Sequence, residues 1–205
     1  EHERAYLESL RTPGTTITEI DVDALGFDQA VAATHEALAA QPDVIYQAVF
    51  AHDGWRGVAD FLLRREDGVY EALDTKLARR GKPSHILQLL YYDGELERIQ
   101  GPADPPRQIH VLLGNGERQS FAPREFAAYY RRVRSRLRAF VDDPPATEPY
   151  PNDHCGLCDF RPVCDEHWDR VDHLSRVAGL YRTQIEKLAA LGITTLAQLG
   201  RAPAE

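Results

Sequence analysis

Tyr70-Glu71-Ala72-Leu73-Asp74-Thr75-Lys76 reads as a strand with two charges set into a largely apolar run. Side chains alternate along a strand, so Asp74 and Lys76 project from the same face. Ala72, Leu73 and Leu77 flank them, which gives the charged pair a buried setting. Upstream, Asp67-Gly68 marks a turn, and before it Trp55 to Arg64 alternates as a second strand. Asp53-Gly54 is the next turn back, and Val44-Ile45-Tyr46-Gln47-Ala48-Val49-Phe50 is β-branched and aromatic. Three strands joined by tight Asp-Gly turns predict an antiparallel meander. Gly57-Val58-Ala59-Asp60 then lies on the strand paired with Asp74, and two carboxylates and one ammonium converge.

Outward from the meander the period becomes helical. Residues 1 to 12 place Ala5, Tyr6, Leu7 and Leu10 at near-helical spacing, and Phe27 to Ala40 is an Ala-rich helix ended by Pro42. Thr16 to Ile20 is a candidate short strand between them. His85 to Gln100 returns to helix, Gln108 to Leu113 is a fourth strand with Gly114-Asn115-Gly116 as its turn, and Pro123 to Val141 is a strong helix. Prolines 144, 145, 149 and 151 mark an extended linker, and Leu174 to Leu199 predicts two short helices around Leu191-Gly192-Ile193. The expected fold is α/β: a central mixed sheet, the meander plus a further strand, flanked by helices, with a Cys-bearing helical segment at the C-terminal end.

The chain has 205 residues, 43% of them hydrophobic and 27% charged, enough for one sizeable core or one core and a small satellite. No apolar run reaches the length of a bilayer crossing, so no membrane partner is expected. The net charge of −8 opposes nucleic-acid binding only on average, because a phosphate footprint is local. Basic clusters stand at Arg79-Arg80-Gly81-Lys82 and at Arg131, Arg132, Arg134, Arg136 and Arg138; the second reads equally as a solvated helix face. The chain lacks Met and starts at Glu1-His2-Glu3, which reads as a fragment of a longer protein.

Asp60, Asp74 and Lys76 carry a definite chemistry. Two carboxylates and a few waters suit Mg²⁺ or Mn²⁺, which prefer oxygen ligands. Such an ion polarises a phosphodiester and activates a bound water, and a lysine beside it can steady the developing charge. An Asp-x-Lys alone is common and is more often a surface ion pair at a strand end. The apolar flanks and Asp60 on the neighbouring strand favour the metal site.

Gly57-x-x-Asp60, then Asp74-Thr75-Lys76, then Gln88-Leu89-Leu90-Tyr91-Tyr92 on the following helix resembles the RecB-type branch of the PD-(D/E)xK nucleases, which includes Cas4 and the AddB-type repair nucleases. Val44 to Gln47, Tyr70 to Arg79 and Leu174 to Gly179 have the character of the RecB-family nucleases of the Thermotoga type. The resemblance spans nearly the whole chain. It implies a restriction-endonuclease-like core over 1–145, a Cys-rich segment over 146–173 and a helical-hairpin tail over 174–205. It implies Asp60 and Asp74 as metal ligands, the Thr75 carbonyl as a further ligand, Lys76 as the catalytic lysine, and Gln88 and Tyr92 as a Gln-x-x-x-Tyr pair touching the site or the DNA backbone. His2 matches the family's metal-binding His on an N-terminal helix; His35, in its Ala-rich helix, reads as ordinary.

Cys155-x2-Cys158-x5-Cys164 can wrap one metal centre, and so few cysteines suggest a reducing, cytoplasmic setting rather than disulfides. Zinc would draw a fourth ligand from His154, His167 or His173. The resemblance instead implies a [4Fe–4S] cluster whose fourth Cys lies outside this chain, serving as a structural staple. Leu188 to Leu199 resembles a helix-hairpin-helix, although a plain helical hairpin accounts for it as well. The expected activity is a Mg²⁺- or Mn²⁺-dependent DNase acting in repair or end processing, on single strands or duplex ends, alongside a helicase or second nuclease. The competing readings are a metal-stapled DNA-binding or scaffolding module with an unused nuclease site, and a zinc domain acting on protein partners.

Overall fold

A computed structural model describes residues 2–203, and the chain divides into two compact units, Glu1–Asp142 and Asp143–Glu205. The first unit holds one six-stranded mixed sheet in the order β1-β2-β3-β4-β5-β6. The expected meander is β2 (Val44–His52), β3 (Trp55–Arg64) and β4 (Tyr70–Lys76), antiparallel throughout. Its first turn takes positive φ at both Asp53 (51°) and Gly54 (76°), a hairpin geometry that Asp-Gly supplies at little steric cost. β1 (Ile17–Glu19) adds to β2 in parallel. β5 (Ile109–Leu113) adds to β4 in parallel after a crossover through α4 (Pro83–Gln100).

Helices cover both faces. α3 (Phe27–Ala40) and α4 pack on the larger core, where Ala30, Ala37, Ile45, Leu62, Ala72, Leu89, Tyr92 and Leu96 are buried. α1 (His2–Leu10) packs on a smaller core around Leu7, Tyr46, Phe61, Leu73 and Leu112, with the Tyr6 ring edge-on to Phe61 at 5.0 Å. α3 stops at Gln41, which turns left-handed (φ 54°) ahead of Pro42.

Some elements depart from expectation. β6 (Arg118–Phe121), antiparallel to β5, was not expected, because its polar edge sequence carries no hydrophobic alternation. The short helix α2 (Val22–Leu25), capped by Asp21 accepting from Ala24 N, was also hidden. The expected helix from Pro123 begins as a 3₁₀ turn, Pro123–Glu125, before α5 (Ala127–Asp142).

The second unit carries a 3₁₀ turn at Cys155–Leu157, then α6 (Arg161–Arg170), α7 (Arg182–Ala190) and α8 (Leu196–Leu199). Trp168 anchors it, 5% exposed and donating from Nε1 to Pro149 O at 2.9 Å. Asp172, at φ 52°, accepts through its backbone from Leu196 N and through its carboxylate from Ala197 N. Thr195 Oγ1 accepts from Gln198 N, so these amides of α8 are bonded within the chain. Among the described residues no helix is long and apolar enough to cross a membrane.

Candidate active site

The sheet gives way at one place, between Gln47 and Asp60. The β2–β3 register runs through Tyr46↔Phe61, omits Gln47 and Asp60, and resumes at Ala48↔Ala59. The β3–β4 register ends at Phe61↔Leu73, one residue short of pairing Asp60 with Asp74. Asp60 is therefore unpaired on both sides. Ile45 and Leu62 enter the larger core from one side of the break, Ala48 and Ala59 from the other, at spacings of three. Strict alternation would need an even number, so both strands change phase here, as at a bulge. Gln47 absorbs the change at φ 59°, a conformation that strains a residue with a Cβ.

The gap frees the Asp60 carboxylate to reach across. Its Oδ2 accepts from Thr75 N and from Thr75 Oγ1, both at 2.8 Å, in place of a ladder bond. Asp74 is fully buried, and Lys76 Nζ stands 2.5 Å from its Oδ2. Apart from that ion pair, both Asp74 oxygens lack a hydrogen-bond partner. A buried carboxylate left so is costly. Burial, followed by the charge of Asp74, pushes Asp60 up to about 6, against the lowering effect of the Thr75 bonds. Burial also raises Asp74, with Lys76 opposing it.

α4 supports this arrangement from the larger-core side. Tyr92 Oη donates to Val58 O at 2.6 Å, and Gln88 Nε2 donates to Tyr92 Oη at 3.1 Å. The Gln-x-x-x-Tyr pair thus grips β3 two residues before Asp60. Gly57 is explained by the same approach: a Cβ there would stand 2.8 Å from both the Tyr91 and Tyr92 rings. Burial raises Tyr92, and the charges of Asp74 and Asp60 add to it.

Three residues that sequence reasoning passed over belong to the surroundings. Glu3 on α1 bears electrostatically on both Asp60 and Asp74, and it accepts a short hydrogen bond from Gln47 Nε2. Gln47 had one available signal, an amide within the apolar run Val44 to Phe50. His85, 9% exposed, caps α4 by accepting from Lys82 N at 3.2 Å, and burial together with the Lys76 charge lowers its pKa. His2 lies next to Glu3 on the first turn of α1, and its Nε2 is buried with no partner.

Asp60 and Asp74 fit a hard divalent cation: oxygen donors, partly buried, with the two Asp74 oxygens left short of partners. Among the described residues no three His, Cys, Asp or Glu side chains gather as a metal-binding group. Mg²⁺ keeps much of its water shell and needs only one or two carboxylates, so the pair suffices for it. Cys155, Cys158 and Cys164 are free and half-buried in the second unit, and Cys155 Sγ accepts from Asn152 N at 3.3 Å.

The sequence profile of the PD-(D/E)XK nuclease superfamily matches residues 3–165. No curated protein matches the chain. One similar solved structure is described as "Crystal structure of SSO0001"; it is 13% identical, the alignment covers 80% of this chain and 92% of that one, and the TM-score is 0.31.

Proposed function

The chain belongs to the PD-(D/E)XK nuclease superfamily, and on that premise we propose that it hydrolyses phosphodiester bonds in DNA with Mg²⁺ or Mn²⁺ held by Asp60 and Asp74. The observation that carries this reading is the fully buried Asp74, both oxygens without hydrogen-bond partners, beside Lys76 and across from Asp60. When bound, the ion supplies Lewis-acid polarisation of the phosphate and acidification of a water. The rest falls to the chain. Thr75 holds Asp60 through its N–H and hydroxyl, and its carbonyl is proposed as a further ligand. Lys76 steadies negative charge on the phosphate and orients the attacking water. Gln88 and Tyr92 hold β3 in place and so act as positioning residues. His2 Nε2 is the proposed nitrogen ligand, supported by its lack of any other partner.

Within the superfamily we place the chain in the RecB-type, Cas4- and AddB-like branch, acting in repair or end processing of DNA. Gly57, Asp60, Asp74, Lys76, Gln88 and Tyr92 support that placement. The test is cleavage of single- and double-stranded DNA with Mn²⁺ or Mg²⁺. Asp74→Ala and Lys76→Ala are each expected to reduce the rate on the order of 10²-fold or more. Turnover that survives both changes would falsify the reading. A [4Fe–4S] or zinc staple would require Cys155, Cys158 and Cys164 to close on one centre with a fourth ligand. Metal analysis and the visible spectrum of the purified protein decide that point.

A further inference from the structure

Three polar side chains away from Asp60 and Asp74 form one hydrogen-bonded row across β4, β5 and β6. The registers put His110 opposite Ser120 and beside Leu73. Glu71 lies two residues before Leu73 and projects from the same face of β4, while Asp74 and Lys76 alternate to the other. His110 Nε2 meets Glu71 Oε2 at 3.0 Å, and His110 Nδ1 meets Ser120 Oγ at 2.8 Å. His110 is 2% exposed, whereas Ser120 is open to solvent. Glu71 Oε1 accepts from Gln108 N at 2.9 Å and stands 3.4 Å from Arg65 Nη1. Burial works to raise Glu71, but the bonds from His110 and Gln108 and the charge of Arg65 outweigh it and hold Glu71 below its ordinary value. An ionised carboxylate only accepts, so His110 carries its proton on Nε2 and offers the Nδ1 lone pair to the Ser120 hydroxyl.

The backbone adds a fourth group. Leu113 N donates to Glu117 O at 2.9 Å, so that pair exchanges ladder bonds. Bonded and non-bonded pairs alternate along an antiparallel ladder, which makes 110–120 a non-bonded pair. Such pairing brings the His110 and Ser120 side chains close and turns the Ser120 N–H outward, on the free edge of the sheet. A hydroxyl, a base, an orienting carboxylate and an outward N–H thus meet at one exposed residue.

We propose that Ser120 is the nucleophile of a second site, which transfers acyl groups from small carboxylic esters to water. Ser120 Oγ bonds to the ester carbonyl carbon while its proton passes to His110 Nδ1. The carbonyl oxygen takes up negative charge beside the Ser120 N–H. The bond to the alkoxide then breaks, and the alkoxide takes the proton from Nδ1, leaving acyl-Ser120 and an alcohol. Water next bonds to the acyl carbon and gives a proton to Nδ1. That proton moves to Ser120 Oγ as the Oγ–carbon bond breaks and the carboxylic acid leaves. Glu71 touches none of the reacting atoms; it positions His110 and steadies its charged form. One N–H donor on an open edge suits a small ester with a good leaving group better than an amide or a long acyl chain.

The test treats the full chain, in EDTA, with a fluorophosphonate, which bonds to an activated serine with loss of fluoride, and with p-nitrophenyl acetate. A single label at Ser120, located by peptide mass spectrometry, and a matching burst of p-nitrophenolate are expected. Ser120→Ala is expected to lose both, and His110→Gln to slow labelling at least about 100-fold. Labelling should quicken as pH rises and frees the Nδ1 lone pair. Glu71→Gln is expected to move the midpoint of that pH profile downward, because the carboxylate favours charged His110. If His110→Gln fails to fold, the pH profile of the unmodified chain decides. No label at Ser120, equal labelling of folded His110→Gln, a rate that does not change with pH, or a midpoint that Glu71→Gln leaves in place overturns the proposal; the row would then only tie β6 to the sheet. Lys76→Ala is expected to label at the unmodified rate, which keeps this outcome separate from that of the nuclease assay.

Discussion

Asp60 is held at a cost. It is unpaired in both neighbouring ladders, partly buried and close enough to Asp74 that their charges oppose each other. Its folded pKa, about 6, lies above the ordinary 3.8. The penalty is therefore absent below about pH 4, grows as pH rises, and is fully present above about pH 6. Asp60→Asn keeps an oxygen for Thr75 and removes the charge. It is expected to raise stability at pH 7 by about 1–2 kcal/mol while abolishing cleavage. Thermal melts at pH 7 and pH 4 check this: the gain should disappear at the lower pH, and a variant less stable at pH 7 would refute it. Gly57→Ala tests the neighbouring constraint. Its methyl would meet two tyrosine rings at 2.8 Å, so the rings must shift and loosen the Tyr92 grip on Val58. A loss of about 1–3 kcal/mol in denaturant unfolding, with a lower cleavage rate, is expected. At this scale Asp74 and Lys76 were legible as one face because strand alternation is a local rule, and Asp60 was legible only as a residue of the neighbouring strand, not as the residue that leaves both ladders. Gln47, Glu3 and His85 were not: a register break arises between strands, and no single run of residues announces it.

At the scale of elements, the edge of the sheet rests on one aspartate. Asp43 Oδ2 accepts from Thr16 N at 2.8 Å and from Thr16 Oγ1 at 2.7 Å, while Oδ1 meets Arg64 Nη2 at 2.5 Å. One carboxylate thus ties the start of β1 to the start of β2 and the end of β3. The Thr16 backbone bond, then its hydroxyl, then Arg64 bring Asp43 down to about 2. A lowered folded pKa adds stability that is fully present above the ordinary 3.8 and is lost as pH falls through about 2. Asp43→Asn is expected to melt lower than the unmodified chain at pH 6, with the difference closing between pH 4 and pH 2. A difference that stays constant across that window would mean that the clamp does not act through charge. The elements themselves were read well where they bury a face: α3, β3 and α4 follow the hydrophobic period. β6 and α2 were missed because an edge strand and a one-turn helix lack that period, and the partners that order them lie elsewhere in the chain. The crossover that brings β5 beside β4 in parallel places Leu112 opposite Thr75, a pairing that no local pattern encodes.

For the whole molecule, the division at residue 142 has a measurable consequence. Residues 141–148 are exposed throughout and carry Pro144 and Pro145 without regular structure from residue 144 on. A backbone lacking both burial and ladder bonds is where a protease gains entry first. The segment 77–82, which follows Lys76, is the rival: Leu77 is 80% exposed. That segment, however, is tied back at both ends. Gly114 N donates to Ala78 O, and Gly81 N donates to Gln119 Oε1 at 3.3 Å. A Cβ at Gly114 would lie 2.7 Å from Leu77 O, so the two segments are in close contact. Brief digestion with a protease of broad specificity is therefore expected to cut first between residues 142 and 150. The N-terminal product would retain Asp60, Asp74, Lys76, Gln88 and Tyr92, and the other would retain all three cysteines. Mass spectrometry of the first products checks the position, and first cuts within 77–82 would refute it. The N-terminal product should still give the Asp43-dependent acid transition, because Thr16, Asp43 and Arg64 all lie within it. Loss of that transition on cutting would show that the sheet depends on the second unit for its stability.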